Sequence, residues 1–199
     1  MSTTLLDARM ISTAQPLPAV SGAALTNLPG GGWEFVSTQT LSGAGSANFE
    51  GFTAGYDYQI WGYDIIPGTD NKYMYGRYGT GATPTYQSSG YDFQIFDRYG
   101  GTSTSNENTN QAQISMNGVY WGNQSNEEGT FMIDIPNPMD SGSRTFVHWR
   151  NYYIQGTPTP TISVGGAFRR ADDAVTAFQV YMSAGTISGR FYLYKRANA

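Results

Sequence analysis

Apolar side chains recur at every second position along most of this chain, the period of a pleated strand with one buried face. Tyr91, Phe93 and Ile95 alternate, as do Phe131, Ile133 and Ile135, which are read as inward-facing. Phe178, Val180 and Met182 repeat the pattern, and Phe191 and Leu193 alternate with Tyr192 and Tyr194. The strongest runs are 56–66 and 145–154. In the first, aromatic and β-branched residues fill both faces, and Pro67-Gly68-Thr69-Asp70-Asn71 closes it with a dense turn signal. Shorter runs are expected at 33–37, 47–52, 72–78 and 111–116, and one more carries Ile162, Val164, Ala167 and Phe168. The Ser/Gly/Ala stretch before Ala47 reads as a loop, and so does 122–129. Residues 100–110 hold three Asn, three Thr, two Ser and no hydrophobic residue, which predicts a surface loop with a mobile tip. Apart from a weak case at 172–177, no segment sustains a helical period. Regular short strands with such punctuation predict an all-β sandwich, jelly roll or barrel; period-two patterning does not separate a jelly roll from an immunoglobulin-like fold.

Residues 1–32 break the pattern. They lack aromatic residues, contain Pro16, Pro18 and Pro29, and end in Gly30-Gly31-Gly32. Residues preceding proline are driven toward extended backbone. Leu5, Leu6, Ile11, Leu17, Val20, Leu25 and Leu28 supply apolar side chains for docking. The expected organisation is an extended N-terminal arm over 1–32, ordered by a partner surface, followed by one β-sandwich domain over 33–199.

Composition narrows the partners. Charged residues are only 13% of 199 residues, about half the usual share. The net charge is −4, whereas a nucleic-acid surface needs clustered Lys and Arg; nucleic acid is not an expected partner. No run approaches the ~18 apolar residues of a membrane-spanning helix, and the start shows no basic-then-apolar leader, so neither membrane nor leader is expected. Polarity rests on 21 Thr, 17 Ser and 12 Asn. With no Cys and one His, disulfides, a Cys nucleophile and a His/Cys zinc site drop out.

The C-terminal stretch 177–196 combines a strand, the turn Ser183-Ala184-Gly185-Thr186-Ile187-Ser188-Gly189 and the closing strand Phe191 to Tyr194. Upstream stand Tyr56-Asp57-Tyr58-Gln59-Ile60, Pro67-Gly68-Thr69-Asp70, Arg77 and Tyr86. Together these resemble a group of bacteriophage virion structural proteins, and residues 21–31 resemble a linker common in fibre-type phage proteins. The resemblance implies a trimeric jelly-roll domain on the particle surface. The expected function is that of a capsid decoration, or cement, protein bound through residues 1–32 to the major capsid protein or another virion protein. The alternatives are a tail-fibre or receptor-binding knob that recognises cell-surface glycans, and a carbohydrate-binding module.

No catalytic, cofactor-binding or metal-binding residue is expected. His148, mid-strand, is the one imidazole open to a Ser–His–Asp arrangement, but no G-x-S-x-G elbow accompanies it; it reads as an outward polar residue or one satisfied in the core. Asp57, Asp64, Asp92, Asp97 and Asp134 lie on or beside strands and could form a glycosidase pair; Asp57 reads better as an acceptor for a loop or a partner for an arginine such as Arg77. Asp172-Asp173, Glu127-Glu128 and Asp70-Asn71 carry oxygen ligands suited to calcium but match no calcium-loop pattern, and read as solvated turns. Trp61, Trp121 and Trp149 could form a sugar-stacking platform, though aromatics in a sandwich mostly serve the core. Gly30-Gly31-Gly32 lacks the Lys-Ser/Thr of a phosphate loop.

Overall fold

The computed structural model describes residues 32–155 and 158–198. Among them the regular elements are thirteen strands: β1 (Glu34–Ala44), β2 (Ala47–Glu50), β3 (Tyr56–Pro67), β4 (Met74–Thr80), β5 (Thr85–Tyr86), β6 (Tyr91–Tyr99), β7 (Thr102–Gln111), β8 (Ile114–Ser115), β9 (Gly129–Ile135), β10 (Phe146–Gln155), β11 (Thr159–Arg169), β12 (Val175–Met182) and β13 (Ile187–Ala197). They form the expected β-sandwich. One antiparallel sheet runs β1-β13-β3-β9-β10-β11-β6-β7; the other runs β2-β12-β4-β5, with β8 on β4. The chain changes sheet at each step from β1 to β4 and again from β11 to β13, the alternation that makes a jelly roll. The expected arm, apart from Gly32, lies outside the described residues.

Strand β10 shows how pattern becomes layer. Val147, Trp149, Asn151 and Tyr153 are buried, while Phe146, His148 and Arg150 face solvent. The inner faces of both sheets meet in one aromatic core. Phe49 on β2 packs against Phe191 on β13 with ring centroids 6.2 Å apart, and Phe131 lies 6.0 Å beyond. Tyr78 and Tyr91 bridge the sheets: the Tyr78 N–H donates to the Tyr91 hydroxyl at 2.8 Å, and the Tyr78 hydroxyl donates to the Thr145 carbonyl at 3.1 Å. Burial raises both phenol pKa values, that of Tyr91 to about 12.

Four local expectations change. Residues 102–111 form a strand, not a loop; β7 pairs with β6 from Tyr99↔Thr102 to Tyr91↔Gln111. It is exposed along nearly its whole length, so no hydrophobic alternation marks it. Its signal was the turn: Gly100 and Gly101 both take positive φ, 50° and 83°, as a two-residue hairpin requires. The Ser/Gly/Ala stretch likewise continues β1 to Ala44 as an edge strand. The 111–116 run contracts to Ile114–Ser115 in the crossover to the second sheet, and the weak helical pattern at 172–177 gives way to β12 from Val175.

Candidate binding surface

The strand carboxylates are distributed rather than gathered. Asp57 accepts the Asn137 N–H at 3.0 Å and pairs with Arg196 at 2.8 Å; the loop bond matches expectation, but the arginine is not Arg77, whose guanidinium lies 5.0 Å from the Tyr181 ring centre. Asp57 and Arg196 are register partners on β3 and β13, whereas Arg77 lies in the other sheet. Asp64, at a bulge with φ 53°, pairs with Arg190. Asp92 pairs with Arg170 at 2.9 Å and accepts the Asn110 N–H at 2.7 Å. Desolvation opposes its ionisation, but these donors prevail and hold its pKa below the ordinary value. Asp97 is completely buried, accepting from the Ser163 hydroxyl and from the Gly118 N–H at 3.2 Å; no solvent path reaches it, so its role is to tie β11 and the 116–121 crossover to β6.

The turn acids serve their turns. Glu127 is buried and accepts the Gln124 N–H at 2.7 Å. Asp70 accepts the Asn123 N–H at 3.2 Å and the Asn71 amide at 2.9 Å. Asp172 and Asp173 face Arg144 and Arg169. Among the described residues no three His, Cys, Asp or Glu side chains converge as a metal site would require.

The tryptophans separate. Trp121 and Trp149 are core residues. Trp61 is half-buried on the outer face of the large sheet, stacked 5.8 Å from Tyr63, with its indole N–H donating to Gln59 at 2.6 Å. His148 also faces outward, as the first of its two readings held. Its cross-strand neighbour is Asp134, which accepts the Gln59 amide at 2.6 Å; His148 itself makes no hydrogen bond or ion pair among the described residues.

That outer face is the surface the sequence did not single out. Cross-strand register arranges it in rows. One row runs Asp134, His148, Gly166, Gln94 and Glu107 over β9, β10, β11, β6 and β7. The next runs Trp61, Met132, Arg150, Val164 and Phe96. On the other side of the polar row sit Phe146 and Phe168, cross-strand partners with rings 5.5 Å apart. Phe96, Phe146 and Val164 expose 51%, 48% and 41% of their surface, far more than side chains of this size leave in water when they are part of a core. A groove of 790 Å³ covers the part of these rows that lies on β10, β11, β6 and β7. The legible signal was Phe146 and Phe96, large aromatics at the outward positions of otherwise regular strands.

A second exposed apolar group stands at the opposite edge. Trp33, Phe35 and Val36 are exposed at the start of β1; Trp33 packs against Arg196 and Phe35 against Tyr194. Among the described residues β1 pairs only with β13 in its sheet, so its other edge has no strand partner among them, as an edge strand's does not.

No protein-family model matches this chain, and no curated protein matches it significantly.

Proposed function

We propose that this chain is a bacteriophage virion structural protein, a homotrimeric capsid decoration subunit attached to the head lattice through its N-terminal side. The observation that carries the reading is the edge of β1. The segment expected as an arm leads directly into an edge strand, at whose start Trp33, Phe35 and Val36 are exposed and whose outer backbone edge has no partner among the described residues. Such an edge can accept a further strand, and backbone hydrogen bonds then supply affinity while flanking side chains supply specificity. An arm of about 32 residues spans roughly 100 Å when extended, enough to lie along a neighbouring subunit. The dispersed, individually paired carboxylates favour a mechanical role over a hydrolytic one, since glycoside hydrolysis needs two facing carboxyl groups.

The resemblance to phage virion proteins points the same way. Aromatic side chains around the groove favour a second placement, a tail-fibre knob. Particle imaging with the chain labelled tests the assignment. Density at capsid lattice junctions, lost when residues 1–32 are deleted from a domain that still folds, is the expected result. Density at the tail tip moves the chain to the fibre reading. Absence from the particle, or a monomer by light scattering, overturns the decoration trimer.

A further inference from the structure

We infer that the groove over β10, β11 and β6 is a binding site for a neutral oligosaccharide. This does not rest on the virion reading: a groove of this kind can hold sugar wherever the chain resides. Its volume, 790 Å³, lies within the range of ligand clefts. Its floor is Gly166, whose absent side chain lets a ligand approach the backbone between His148 and Gln94.

The side chains around that floor select the ligand class. The side chains of His148, Gln94 and Glu107 make no hydrogen bond among the described residues, and all three stand in one register row. An amide and a neutral imidazole can each donate to or accept from a hydroxyl group, and a carboxylate accepts from one. On one side of the row lie Phe146 and Phe168, on the other Phe96. A pyranose ring has the same duality: an apolar C–H face that covers an aromatic ring, and a rim of hydroxyl groups. A purely apolar protein surface seated here would bury three unpartnered polar side chains, a cost that polar-rimmed sugar avoids. Charge disfavours polyanions. Asp92 is paired with Arg170, which leaves Glu107 as the unpaired charge among the lining residues, and no Lys or Arg lines the groove, so a phosphate or carboxylate polymer would gain no ion pair from its lining.

The test is native affinity electrophoresis of the full chain through gels containing dextran, mannan, xylan, galactan or hydroxyethylcellulose, with polygalacturonate as the anionic control. The expected result is retardation by one or more neutral polymers and none by polygalacturonate. Gly166→Val plugs the floor. A Cβ there lies 3.3 Å from Cδ2 of the exposed His148, so the ring yields and the fold stands. Gly166→Val and, independently, His148→Ala should weaken the interaction by about tenfold or more, while Trp61→Ala, outside the groove, leaves it intact. Lack of retardation by every neutral polymer overturns the inference. So does retardation that survives both groove variants, or self-association by light scattering that Gly166→Val abolishes, which would make the groove an interface between copies. A sugar-binding failure leaves particle imaging unaffected, so the two readings fail separately.

Discussion

Gly165 and Gly166 are neighbours on β11 with opposite surroundings, and alanine at each position should give opposite results. A Cβ on Gly165 would point inward, 2.7 Å from Cε2 of Trp149 and 2.5 Å from the Gln94 carbonyl oxygen. One of these is strand backbone and the other a core indole, so neither yields cheaply. Overpacking of this kind costs about 1–3 kcal/mol. At roughly 2–4 °C per kcal/mol for a domain of this size, Gly165→Ala should lower Tm by about 2–12 °C. A Cβ on Gly166 points outward and meets only the edge of His148 at 3.3 Å, with the Val147 carbonyl at 3.7 Å. There the strand gains the ~0.5–1 kcal/mol by which alanine exceeds glycine, less the small cost of moving an exposed ring. Gly166→Ala should leave Tm unchanged or raise it slightly. Thermal unfolding followed by tryptophan fluorescence measures both, and Trp149 reports directly on the first. Equal effects at the two sites, or a larger loss at Gly166, would refute the inward–outward assignment of β11 and with it the floor of the groove.

Three other perturbations probe the core. Tyr91 keeps its proton to about 12, whereas an unfolded tyrosine loses it near 10; the unfolded chain therefore binds fewer protons above pH 10, so stability is complete below that pH and falls as pH rises through 12. Ionisation followed at 295 nm should coincide with loss of far-UV β signal, and free titration of every tyrosine near 10 with the fold intact would contradict the burial of Tyr78 and Tyr91. Asp97→Ala removes an acceptor from the part-buried Gly118 N–H and from the Ser163 hydroxyl, which keeps its 3.2 Å contact with the Tyr153 hydroxyl; the loss should be about 1–3 kcal/mol, and Asp97→Asn should recover part of it in chemical denaturation. Phe178→Ala empties a fully buried site beside Tyr78 and should cost about 3–5 kcal/mol; a loss below 1 kcal/mol would mean the two sheets do not meet there.

The polar outer strand and the paired acids mark the limit of reading by pattern. β7 was missed because alternation records burial, and both faces of this edge strand meet solvent; only its Gly-Gly turn carried information. Arg77 was a reasonable partner for Asp57 by chemistry, but partnership depends on register, and register placed Arg196 opposite Asp57. Trp149 was legible as core, since its strand alternates cleanly; Trp121 lies outside the strands in a segment without alternation, and half-buried Trp61 lies in a strand whose residues fill both faces.

Residue order alone determined that this chain would fold as β-strands, since a two-residue hydrophobic period can bury its apolar face only in a sheet. It also determined that cysteine and multi-histidine chemistry were out of reach, because those side chains are scarce or absent. Tertiary structure decided which outward side chains became neighbours. His148, Gly166, Gln94 and Glu107 are scattered over 73 positions of sequence and come into one row through antiparallel pairing of four strands. Alternation says which face a side chain takes; only the hydrogen-bond register between strands says what stands beside it.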